Sequence, residues 1–78
     1  MTDTAQKIML LFQKHAKVEP GMVLTFTEMS CRAKEWGPHH SASLEAAMEE
    51  LRDEGYALIT TPHGLELTES GYSYLFKE

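Results

Sequence analysis

A chain of 78 residues with a 42% hydrophobic share and a formal net charge of −5 makes one small domain, residues 1–78. That share excludes a disordered chain, no apolar run approaches the ~20 residues of a membrane span, and a lone cysteine, Cys31, excludes an internal disulfide framework. The charge is uneven: residues 1–40 carry five Lys or Arg against four acids, and residues 41–78 carry two against eight. The opening "MTDTAQKIMLLF" has neither the basic n-region nor the cleavage site of a signal peptide, so a cytoplasmic location is expected.

The first helix is expected from a cap at Asp3 or Thr4 to about Lys17. Ala5, Ile8, Leu11, Phe12 and His15 share one face and form its core stripe, with His15 packed at its end. Leu10 falls nearly opposite, among Gln6, Gln13, Lys14 and Lys17. "VEPG" stops the helix, and "MVLTF" is a short β-prone run. Thr25 or Thr27 caps a second helix, "TEMSCRAKEW", with Met29, Ala33 and Trp36 inward and Cys31 outward. Gly37 suits a left-handed C-cap, and Pro38 blocks continuation.

Ser41 or Ser43 is expected to cap the third helix, about 41–54, leaving His39 and His40 on an exposed turn. Leu44, Ala47, Met48 and Leu51 form its buried stripe, and Gly55 closes it. Ala42, Ala46, Glu49, Glu50 and Asp53 lie on the opposite side. "YALIT", the turn "TPHG" and "LEL" make a β-hairpin over 56–67. Thr68 caps a last short helix carrying Tyr72, Leu75 and Phe76. Gly71 inside it costs up to ~1 kcal/mol against Ala, and its use is a close backbone approach.

The stretch "SASLEAAMEELRDEGYALITTPHGLELTESGYSYL" resembles the winged helix-turn-helix families of small prokaryotic transcription regulators. The resemblance rests on an apolar-striped helix ending in Glu-Gly-Tyr, two strands around a Gly turn, then Leu-Thr-Glu-x-Gly-x-x-Tyr-Leu. It covers nearly the whole chain. It implies an α+β winged helix-turn-helix: a three-helix core, a β-hairpin wing and a short C-terminal helix. It also implies a double-stranded DNA partner, read by helix three and touched by the wing. Carried over by position, the contacts are His39, His40, Ser41, Ala42, Ser43 and Ala46, with Thr61 and His63 on the wing. Arg32 and Lys34, late in helix two, reach toward the phosphate backbone.

Charge opposes that reading. One acid ~7 Å from a phosphate costs about 0.6 kcal/mol in bulk water, and helix three has several. The alternative is a winged-helix protein-interaction module, since one fold serves both uses. Leu10 and Tyr74 face away from the expected core and are its candidate homodimer or partner interface. No metal site is expected: "HH" at 39–40 with His15, His63 and Cys31 includes no Cys-x-x-Cys or His-x-x-x-His pair. No cofactor and no enzyme activity are expected either, for want of a nucleophile with a nearby base, a phosphate-cradling Gly loop or a convergent acid pair.

Overall fold

The computed structural model of the chain describes residues 1–15, 17–60 and 63–76. It is α+β, with helices α1 (Asp3–Gln13), α2 (Phe26–Trp36), α3 (Pro38–Asp53) and α4 (Glu69–Leu75), and strands β1 (Val23–Thr25), β2 (Ala57–Thr60) and β3 (Gly64–Leu67). The strands form one antiparallel sheet in the order β1-β3-β2. The "MVLTF" run thus becomes the third strand of the hairpin's sheet: Leu24 lies opposite Leu65, and Ile59 opposite Leu65 on the other side.

Helix α1 begins one residue or two earlier than expected. Thr2 is its cap, its hydroxyl accepting from the Ala5 N–H, and Thr4 is buried inside the first turn. The helix also ends at Gln13, short of Lys17. The His15 N–H turns back to the Phe12 carbonyl at 3.1 Å. The next three residues, Gln13, Lys14 and His15, bring no apolar side chain, and a short helix needs packing to hold each further turn. His15 is exposed and Leu11 only half-buried, correcting their expected burial, and Met9 is buried beside Ala5, Ile8 and Phe12.

Thr25 caps α2 with a complete capping box: its hydroxyl accepts from the Glu28 N–H at 3.1 Å, and its own N–H donates to the Glu28 carboxylate at 3.4 Å. Gly37 has a positive φ of 126° but a ψ of 163°, so it is extended rather than left-handed helical. That region is essentially open to glycine alone. It makes a one-residue joint between α2 and α3.

The start of α3 is the main correction. Pro38 opens the helix at its first turn, where a fixed φ fits and a missing N–H costs nothing. Ser41 and Ser43 are therefore interior residues, not caps, and His39 and His40 are helical, not on a turn. The expected stripe of Leu44, Ala47, Met48 and Leu51 is buried, and Gly55 follows at φ 82°. Helix α3 packs on α1, α2 and β2, so it is the centre of the core.

Thr68 caps α4 as expected and staples it to the end of α3: its hydroxyl accepts from the Gly71 N–H at 3.0 Å and donates to the Gly55 carbonyl at 2.7 Å. Gly71 lies against the Tyr56 carbonyl so closely that a Cβ there would overlap it. Tyr72 and Leu75 pack partly on the core, while Phe76 is exposed.

Candidate functional site

The residues expected at a DNA surface divide into three groups. His39, Ser41, Ala42 and Ala46 are exposed along the first half of α3, with Lys34 exposed near the end of α2. These form the outward-facing set.

A second group turns inward. His40 is half-buried, its Nδ1 2.9 Å from the Thr4 hydroxyl and its ring edge-on to Trp36 at 6.0 Å. Ser43 is also half-buried. Helical periodicity from Pro38 explains both, since His40, Ser43 and Leu44 lie on adjacent positions of one face.

The third group lies elsewhere. Arg32 pairs with Glu35 at 3.3 Å, so its charge is locally compensated. His63 is exposed at the hairpin, but its ring packs edge-on against Phe26 at 4.6 Å, and its carbonyl accepts from the Phe26 N–H at 3.0 Å. That contact fixes the hairpin to the start of α2. Thr61 and Pro62 lie outside the described residues.

The acids of α3 are not one solvated face. Glu50 is half-buried and accepts from Thr2, from its hydroxyl at 2.7 Å and its backbone N–H at 3.2 Å. These two bonds hold its carboxyl below the usual carboxylate range. Asp53 accepts from Arg52 at 3.3 Å. Glu45, Glu49 and Glu54 remain exposed and, among the described residues, make no ion pair. The first turn of α3 has no acid.

Leu10 and Tyr74 are both exposed, at 46% and 40%, but lie in different depressions. Tyr74 stacks on Tyr56 at 4.6 Å, beside Tyr72 and Phe76. Leu10 lines a groove between α1 and α2, with Trp36 at one end. The sequence assigned Trp36 to the core alone and left Lys7 unremarked. The signal was the alternation of Lys7, Leu10, Leu11 and Lys14 along one side of α1.

Among the described residues, no three His, Cys, Asp or Glu side chains converge as metal ligands, and no helix is long and apolar enough to cross a membrane. No protein-family model, curated protein or solved structure matches the chain.

Proposed function

We propose that the chain is a winged helix-turn-helix module that contacts double-stranded DNA through the first half of α3, with the β2–β3 hairpin as its wing. One observation carries the reading: where the acids sit relative to the start of α3. The helix begins at Pro38, and its first acid is Glu45. At 1.5 Å per residue, Glu45 lies about 10 Å along the axis and Glu49 about 16 Å. The Debye length is about 8 Å at physiological salt, so phosphates at the helix start are largely screened from Glu49 and Asp53. Small exposed side chains ahead of Glu45, Ser41 and Ala42, permit close approach to a groove, with Ala46 just beyond it. Lys34 adds an exposed cation nearby.

The test is a duplex titration at ~50 mM and ~200 mM salt. Binding is expected at the lower salt and is expected to weaken steeply at the higher. Reversing Glu45 and Glu49 to Lys is expected to tighten it. Absence of any duplex binding at ~50 mM salt by both the parent and this variant removes the reading.

A second reading, a winged-helix protein-interaction module without DNA affinity, is favoured by the net-negative outer surface of α3. Glu45, Glu49, Asp53 and Glu54 outnumber Arg52 there.

A further inference from the structure

The groove between α1 and α2 does not include the exposed first half of α3 on which the DNA reading rests, although Arg32 lines it. Both helices pack on α3 but scarcely touch each other, which leaves an open cleft of about 1040 Å3. Its floor is apolar. Leu24 is buried beneath it, Leu11 is half-buried, Leu10 is 46% exposed, and Trp36 closes one end.

Its two walls differ in charge. On α2, Arg32 offsets Glu35, while Glu28 is turned back onto the Thr25 hydroxyl and N–H but keeps its charge, so that wall is net negative by one. On α1, Lys7 and Lys14 make no ion pair among the described residues. They are seven residues apart, which is two helical turns or about 10 Å, and Leu10 and Leu11 lie between them. The Lys7 ammonium also sits 5.7 Å from the centre of the Trp36 ring. In a chain of net charge −5, this is an apolar trough with a positive lip.

We infer that the groove docks an acidic amphipathic helix of a partner protein. Its apolar side chains fill the trough over Leu10, Leu24 and Trp36, and carboxylates two turns apart meet Lys7 and Lys14. Helix-in-groove docking needs both parts: apolar anchors for affinity and charge for register. Two other occupants fit worse. A nucleic acid would leave the apolar floor unfilled, and its backbone charge cannot be confined to the Lys7–Lys14 side, as carboxylates on one edge of a helix can, away from Glu28 and Glu35. The acidic surface of α3 in a second copy offers Ala42 and Ala46 between its acids, with no large anchor for the trough. The inference stands apart from the DNA reading, because the groove and the start of α3 are probed by different ligands.

The chain has one tryptophan, Trp36, and it lines the groove, so its fluorescence reports occupancy directly. The probe is a Trp-free helical peptide of about 18 residues, long enough to hold helix in water, with two Leu between Glu residues seven apart. Its counterpart carries Lys in place of those Glu residues. The expected result is a saturable shift of Trp36 emission with the acidic peptide, weakened at least tenfold by raising salt from ~50 to ~300 mM. The Lys peptide binds at least tenfold more weakly. The double variant Lys7→Glu/Lys14→Glu is expected to reverse that preference, which an unfolded variant could not do. Equal response to both peptides, or to neither, overturns the inference. So does a Trp36 shift on diluting the chain alone, which would mark a second copy in the groove, or a shift with duplex DNA but not with peptide.

Discussion

The Thr4 hydroxyl and the His40 Nδ1 lie 2.9 Å apart, joining the first turn of α1 to the first turn of α3. Thr4 is 1% exposed, so its hydroxyl is cut off from water. Removing one partner leaves a buried polar group unsatisfied, at a cost of about 1–3 kcal/mol, a penalty that disappears when the other partner is made apolar too. His40→Ala is therefore expected to destabilise the fold by that amount. Thr4→Val together with His40→Ala is expected to cost less than the two single changes summed. Urea denaturation of the four proteins measures the coupling; strict additivity would show that the pair is not a functioning hydrogen bond.

Gly71 and Gly55 are glycines for different reasons. At Gly55, φ is 82° and a Cβ would meet open space, so Gly55→Ala carries only the backbone cost, about 1–2 kcal/mol. At Gly71 a Cβ would overlap the Tyr56 carbonyl and come within 2.7 Å of Leu67 Cδ1. The carbonyl is backbone and cannot swing aside. Gly71→Ala is expected to cost about 3 kcal/mol or more, at the upper end of overpacking effects. Unfolding midpoints in the reverse order would mean that α4 is not seated on Tyr56.

The Thr2–Glu50 contact makes stability depend on acidity. Hydrogen bonds from the Thr2 hydroxyl and then its backbone N–H lower the Glu50 pKa from its ordinary value of 4.5. The folded state thus binds fewer protons than the unfolded state, and stability rises with pH in that window. The contribution is present above the ordinary value and is lost as pH falls through the lower folded one. Thr2→Ala also removes the α1 cap, but that loss does not vary with pH. The expected signature is a shallower decline of stability from about pH 6 to pH 3 in Thr2→Ala than in the parent. Identical slopes would exclude this contact as their source.

The rotation of α3 is testable at two adjacent positions. Met48 is 1% exposed and Glu49 is on the surface. Met48→Ala is expected to cost about 2–5 kcal/mol, and Glu49→Ala within about 0.5 kcal/mol of nothing. Thermal unfolding of both variants checks the contrast, which disappears if the helix is turned.

The sequence alone determined the elements whose signals are local. Periodic Leu44, Ala47, Met48 and Leu51 marked the buried face of α3, because a helix repeats every 3.6 residues whatever it packs against. Thr25, Gly55 and Thr68 marked element ends, because caps and positive φ are properties of a few adjacent residues. Where neighbouring segments compete, local signals misled. Ser41 and Ser43 looked like caps, yet Pro38 starts α3 earlier, with Gly37 as the joint. Only the tertiary structure decided which polar residues serve the fold. It turned His40 toward Thr4 and Glu50 toward Thr2, pairs separated by 36 and 48 residues. It also opened the α1–α2 groove, because both helices spend their apolar faces on α3 rather than on each other. No periodicity within one helix encodes a partner so far along the chain.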